Sequence, residues 1–276
     1  MKPCFEENVL AASSLLKARW VFPVASEPIA HGAVEIAGGR IVSVQSHPPA
    51  DAQDLGDMAI VPAFVNAHTH LEFSDLKTPL TPARPFPSWL RALIAHRRAR
   101  ADGSSAIDCG LEECRRSGTA AFGEIVTQDW PARMPADVPG AFLFRELIAL
   151  PPERIEQQLK IARRFLKPDG SGHQGTAVRG LSPHAPYSVH PELLDRLIGL
   201  SAESRTPLAI HLAETEAELQ LLHDGTGELV DFLSDLGVWR DEIIPRGTRP
   251  LHYLRSLADL EHVVIAHGNY LDDEEI

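Results

Sequence analysis

The sequence predicts an α/β fold whose parallel strands curl into a barrel, and three observations carry that expectation. Beyond Ala59, short apolar runs alternate with longer amphipathic segments, as strands joined by helical crossovers do. Strands connected in this way pair in parallel through right-handed crossovers. Histidines recur at the ends of several of those runs, and a barrel gathers its active site at the C-terminal ends of different strands. A doubly wound sheet accounts for the alternation equally well. The recurring histidines favour the barrel.

Taken in order, residues 1–58 form a small β unit and residues 59–276 the barrel. In the first segment Trp20–Phe22, Ala33–Ile36 and Arg40–Val44 are β-type runs, separated by Gly38-Gly39 and by Pro48-Pro49. The Gly-Gly step reads as a hairpin turn. In the second segment the strand candidates are Ile60–Val65, Ala120–Val126, Ala141–Leu147, Ala177–Leu181, Leu208–His211 and His262–Ala266. Between them, Ile107, Leu111 and Cys114 fall at i, i+4, i+7, and Ile155, Leu159, Ala162 and Leu166 continue the same rule. Leu193, Leu194, Leu197 and Ile198 present an apolar face opened by Pro191 at a first helical position. Shorter helices are expected over Gly227–Leu236 and Arg249–Leu257. The proline-rich stretch Thr78–Pro87 reads as a loop over the barrel mouth, leading into a helix near Ser88 that carries Trp89. Six strand–helix units are counted, where a full barrel has eight.

Composition narrows the function classes. A chain of 276 residues fits one barrel domain, and 44% hydrophobic content suits a packed core. A net charge of −12 argues against nucleic acid as a partner and leaves a nucleoside-like small molecule open as substrate. No apolar stretch approaches the ~18 residues that span a bilayer, so no membrane role is expected. Glu6 and Glu7 stand where a signal peptide carries basic and then apolar residues. Cys4, Cys109 and Cys114 make no C-x-x-C pair, which suits a reducing cytoplasm.

The chemistry begins at Pro62-Ala63-Phe64-Val65-Asn66-Ala67-His68-Thr69-His70. In an extended strand side chains alternate faces, so His68 and His70 point the same way and can share one divalent ion. His211 closes the run Leu208–His211, and three imidazoles with an open position are the arrangement of a catalytic zinc. Glu214 follows where the chain leaves that strand, placed to collect and pass on a proton. His267 ends Val263–His267, and His184 lies between Pro183 and Pro186, which stiffen its loop. Arg145, ending the third strand beside Glu146, is a candidate for an anionic substrate group. Trp89 is balanced between packing and substrate stacking. A single strand-end histidine is more often structural; five at successive strand ends outweigh that reading. His31, His47, His96, His173, His190, His223, His252 and His262 have no comparable context and read as solvated or locally bonded.

Pro62–Glu72, Ser182–Tyr187, His211–Glu214 and His267-Gly268 together resemble the amidohydrolase superfamily. Within it they look like the branch of cytosine, guanine, adenosylhomocysteine and aminodeoxyfutalosine deaminases and the triazine hydrolases. The resemblance implies a (β/α)8 TIM-type barrel beside a small β-sandwich built from both chain ends. It implies metal ligands at His68, His70 and His211, a proton shuttle at Glu214, a polarising or orienting role for His267, and a substrate contact at His184. The stretch Asn66–Ser74 is most similar to the aminodeoxyfutalosine-type and adenosylhomocysteine-type deaminases, which would make Glu72 and Arg145 substrate contacts. Residues 176–187 hold no lysine to bridge two metals, so one ion is expected, zinc or iron. The implied reaction is attack of metal-bound hydroxide on an amidine carbon of a purine-like or pyrimidine-like ring, with loss of ammonia. Cleavage of a cyclic amide or loss of chloride from a triazine on the same scaffold is the alternative, and a truncated metal-binding paralogue without turnover is another.

The pattern departs from the family in one respect. Members have two further strands, the eighth supplying an aspartate to the metal, and no residue here corresponds to it. The chain therefore reads as an N-terminal fragment of a deaminase-like enzyme, with the expectation that it is inactive or poorly folded alone. A homo-oligomer is left open.

Overall fold

The structure, a computed structural model, describes residues 13–100, 104–128, 140–167 and 177–276. Cys4, Glu6, Glu7 and His173 lie outside the described residues. The chain divides into two compact units, Met1–Phe64 and Val65–Ile276.

The first unit holds β1 (Ser14–Lys17), β2 (Trp20–Val21), β3 (Ile29–Ala30), β4 (Ala33–Ala37), β5 (Arg40–Gln45), β6 (Gln53–Asp54) and β7 (Ala59–Ile60). They form a four-stranded sheet in the order β5-β4-β1-β6 and a three-stranded sheet in the order β3-β2-β7. The β4–β5 hairpin turns at Gly38 and Gly39, with φ +58 and +72. Both residues must adopt positive φ for a turn whose twist matches its strands, and glycine does so without strain.

The second unit is a six-stranded parallel sheet, β13-β12-β11-β10-β9-β8, in which each strand pairs with its neighbour in sequence. Its strands are β8 (Phe64–Thr69), β9 (Thr119–Val126), β10 (Gly140–Leu147), β11 (Val178–Pro183), β12 (Leu208–Leu212) and β13 (Val263–His267). The sheet curls into a nearly closed barrel: His68 on β8 and His267 on β13, at its two edges, bring their rings within 5.6 Å. Five of these strands begin within one residue of expectation. The first does not. Ala59-Ile60 pairs with β2 as β7 instead, and Pro62, which has no N–H to give a ladder, separates it from β8.

Inside the barrel Phe144 packs with Ile125, Ala209 and Val264. Two glycines leave room beside it, Gly180 directly across the ladder on β11 and Gly123 on β9. A Cβ at Gly180 would meet the Pro207 carbonyl oxygen at 2.5 Å and the Phe144 ring at 2.8 Å, and one at Gly123 would meet the Ala67 carbonyl oxygen at 2.3 Å. Outside the sheet lie α1 (Phe86–Ala99), α2 (Ser104–Arg116), α3 (Ile155–Leu166), α4 (Pro191–Ser204), α5 (Glu216–Asp224), α6 (Glu228–Asp235) and α7 (Pro250–Leu257). Helix α3 buries Ile155, Leu159 and Ala162, and α4 buries Leu193, Leu194 and Leu197. These meet Leu147, Leu181, Leu208 and Leu212 in one core. The strands are apolar on both faces, as a sheet covered on both sides requires. Among the described residues, no helix is long and apolar enough to cross a membrane.

Candidate metal and active site

Four imidazoles meet at the C-terminal ends of β8, β12 and β13. The period-2 alternation of β8 sends His68 and His70 the same way, with ring centroids 4.9 Å apart. His211 lies 4.8 Å from His68 and 5.5 Å from His70, centroid to centroid. The Nε2 atoms of His70 and His211 face each other at 3.4 Å. His267 stacks on His211 at 5.3 Å. The set named from the sequence is His68, His70 and His211, whereas the ring nitrogens of His68, His211 and His267 are those that lie within 4.8 Å of one another. The 3.4 Å approach keeps His70 in the group, so the arrangement is a tetrad.

The donor set fits a divalent ion. His211 Nδ1 lies 2.9 Å from the His184 carbonyl oxygen. A carbonyl only accepts, so Nδ1 carries the proton and Nε2 turns its lone pair to the centre. The Nδ1 atoms of His68 and His70 are buried and have no hydrogen-bond partner among the described residues. Metal binding needs neutral imidazoles, and burial keeps these neutral: it lowers His68 to about 4 and His70 to about 3, with neighbouring imidazoles adding to the effect. His211 is held well below its ordinary value by the same burial, and His267 is lowered too.

Glu214 stands beside this group, its Oε1 3.5 Å from His267 Nε2. Ala213 takes a left-handed φ of +53, which turns the chain so that Glu214 comes back toward the strand ends. Burial raises the Glu214 carboxyl to about 7, where it can exchange a proton near neutrality. Two backbone donors fix the turn: the N–H groups of Ala213 and Glu214 donate to Glu218 Oε1 and Oε2 at 3.1 and 2.9 Å. The Asn269 amide donates to the Glu214 carbonyl at 3.2 Å.

His184 is set by Ser188. The Ser188 hydroxyl donates to the Ala185 carbonyl at 3.1 Å and lies 2.6 Å from His184 Nδ1. With its one proton spent on the carbonyl, Ser188 accepts from Nδ1–H, and His184 Nε2 is an acceptor. Burial, aided by the Arg97 charge, lowers His184 to about 3.

These groups open into a cavity of about 540 Å³ whose wall includes His68, His70, His184, His211, Glu214 and His267. Trp89 joins that wall and lies nearly parallel to Phe86, centroids 5.8 Å apart and planes at 14°. Glu72 and Arg145 are not among the lining residues. The Glu72 carboxylate receives Arg97 Nη2 and Arg100 Nη2, each at 2.6 Å. Arg145 alternates away from Glu146 along β10, and it is Glu146 that lines the cavity.

Neither Glu218 nor Glu146 is among the site residues the sequence points to. A signal for the first exists: Thr215 and Glu218 stand three apart at a helix start, as in a capping box, and Thr215 Oγ1 accepts the Glu218 N–H at 3.2 Å. Helix α5, which carries Glu218, is likewise not among the elements the sequence predicts. For Glu146 the signal is only its place at a strand end beside Arg145.

Comparison with known proteins agrees with this geometry. Residues 59–276 match the model of the Amidohydrolase family. A 5-methylthioadenosine/S-adenosylhomocysteine deaminase of Carboxydothermus hydrogenoformans is 28% identical over 229 residues, covering 81% of this chain and 48% of that protein. An aminodeoxyfutalosine deaminase of Deinococcus radiodurans is 30% identical over 206 residues, covering 70% of this chain and 47% of that one. The chain thus spans about half the length of these curated relatives. In fold it is similar to the crystal structure of Helicobacter pylori aminofutalosine deaminase in complex with methylthio-coformycin, with a TM-score of 0.76 at 21% identity over 95% of this chain and 65% of that one. It is also similar to a zinc-complexed atrazine chlorohydrolase of Arthrobacter aurescens, at a TM-score of 0.60 and 17% identity over 92% and 65% of the two chains. With a family model matched over most of its length and a barrel that carries its histidines at the strand ends, the chain belongs to the metal-dependent amidohydrolase family.

Proposed function

We propose that the protein is a deaminase that acts on an adenosine-like nucleoside, using one divalent ion, zinc before iron, held by His68, His70 and His211. The observation that carries this reading is the cluster of imidazoles around the buried His211, each kept neutral by its surroundings, with Glu214 at its rim. A divalent ion bound there supplies positive charge that acidifies a water and polarises the carbon under attack. Glu214 takes a proton from the attacking water and delivers it to the departing amine, a transfer its raised pKa of about 7 suits. His267, 3.5 Å from Glu214 Oε1, orients the reacting groups. His184 contacts the substrate through Nε2, and Trp89 offers a flat face to a heterocycle. Glu72 reaches the cavity only through Arg97. The free thiols Cys109 and Cys114 suit the reducing cytoplasm, where we place the protein.

The test is a substrate panel on the zinc-loaded protein. Ammonia release from adenosine, methylthioadenosine or adenosylhomocysteine, with the ultraviolet change from adenine to hypoxanthine, is the expected result. Turnover confined to chlorotriazines or cyclic amides, with no ammonia from any nucleoside, would overturn it.

A further inference from the structure

We propose that Glu146 sets substrate specificity, as a hydrogen-bond acceptor for the adjacent hydroxyls of a ribose-type sugar. The inference rests on the nucleoside reading above and adds to it the group that reads the sugar.

Glu146 ends β10 with a side chain only 6% exposed, and it lines the cavity. Its carboxyl makes no hydrogen bond to any described residue. Arg97 Nη1 comes to 3.9 Å and His184 Nε2 to 4.0 Å, both beyond hydrogen-bond reach. Arg97 gives its other terminal nitrogen to Glu72 at 2.6 Å. His184 offers no proton either, since its Nδ1–H goes to Ser188. Two acceptors therefore stand side by side at the cavity wall, 4.0 Å apart, with nothing to accept. Burying a carboxyl that has a charge contact with Arg97 at 3.9 Å but no hydrogen bond is unfavourable, and burial accordingly pushes Glu146 up to about 7 against the opposing charge of Arg97. The arrangement is completed by a ligand that brings donors.

The chemistry of an adenosine-like nucleoside says which donors these are. Its exocyclic amine sits on the reacting carbon and must face the imidazole cluster and Glu214. The rest of the ring edge carries acceptors and C–H groups. The remaining donors are the sugar hydroxyls, and two neighbouring hydroxyls answer two neighbouring acceptors.

Calorimetry on the zinc-loaded protein tests this with adenosine and 2′,3′-dideoxyadenosine, for the wild type, Glu146→Gln and Glu146→Leu. The wild type is expected to bind adenosine about ten- to a hundredfold more tightly than the dideoxy compound, the worth of one or two hydrogen bonds to a charged acceptor. Glu146→Leu should bind both alike, with its affinity for the dideoxy compound unchanged and its thermal melt intact; Glu146→Gln, which keeps one acceptor oxygen, should fall between. Equal binding of the two nucleosides by the wild type, a preference that survives in Glu146→Leu, or no binding of either overturns the proposal. Ammonia release from adenosine and from free adenine, measured alongside, separates the two readings. Release with a sugar preference indifferent to residue 146 removes this inference alone. No release from any adenine compound removes the deaminase reading, whatever the binding shows.

Discussion

Glu218 holds Glu214 in place through the backbone: each oxygen of the Glu218 carboxylate accepts one of two successive N–H groups, Ala213 at 3.1 Å and Glu214 at 2.9 Å. The carboxylate at position 214 owes its direction to another carboxylate four residues on. Each donor meets its own oxygen, and among side chains only a carboxyl group carries two acceptor oxygens.

That requirement makes Glu218→Gln a sharp test. Glutamine keeps one oxygen and turns an NH2 toward the second backbone donor, leaving a buried N–H unsatisfied at a cost of about 1–3 kcal/mol. Thermal melts should show the loss of stability. If the turn positions Glu214, kcat should also fall at least tenfold with KM little changed; a variant that melts early but keeps full kcat would reduce Glu218 to a structural brace.

The tetrad predicts how metal is held. Replacing His211 by alanine removes the ring whose Nε2 faces His70 Nε2 at 3.4 Å and whose Nδ1 is fixed by the His184 carbonyl. The purified variant should carry well under one equivalent of zinc by elemental analysis, against one for the wild type. Ser188→Ala, by contrast, frees the His184 ring without touching the tetrad, so it should retain its zinc and alter only substrate affinity.

Burial of Glu146 predicts a pH dependence of stability. Its folded pKa of about 7 lies above the ordinary 4.5. A raised acid contributes stability that is fully present below about 4.5 and is lost as pH rises through 7. The loss has an upper bound of roughly 3 kcal/mol, from 1.36 kcal/mol for each pH unit between the two values. Denaturant melts of Glu146→Gln from pH 5 to 8 should therefore decline less steeply than those of the wild type. Parallel curves would show that the carboxyl is solvated or partnered in solution.

The residues that were legible in the sequence are those whose signal is local. His68 and His70 share a face because a strand alternates, and His211 and His267 announce themselves by closing apolar runs. What was hidden depends on how the chain turns or on which way a strand faces. Period 2 says that Arg145 and Glu146 point apart, but β10 is apolar on both faces, so nothing in Phe142–Leu147 marks which side is the cavity. Arg145 is singled out by its charge and by the resemblance, neither of which carries the direction of its side chain. Nothing next to Glu72 in sequence announces its partners; the two arginines that engage it come from α1 and the residue after it, about 25 positions away. Glu218 acts only because Ala213 adopts a left-handed φ, which no neighbouring residue type demands.

The glycines beside Phe144 give a final prediction, on the barrel itself. Gly180 sits directly across the ladder from Phe144, and an alanine there would place a methyl 2.5 Å from the Pro207 carbonyl oxygen and 2.8 Å from the aromatic ring. The carbonyl is backbone and belongs to the entry of β12, so it cannot swing aside as a flexible side chain does. Relief must come from shifting β12 relative to β11, and His211 rides on β12. Gly180→Ala should thus lose about 1–3 kcal/mol, as overpacked cores do, and weaken zinc binding as well, although residue 180 touches no histidine. The double variant Gly180→Ala, Phe144→Leu relieves the ring contact but not the carbonyl contact. Its melting temperature should recover only in part and its zinc affinity not at all; full recovery of both would place the strain in the aromatic ring and leave the strand shift without support.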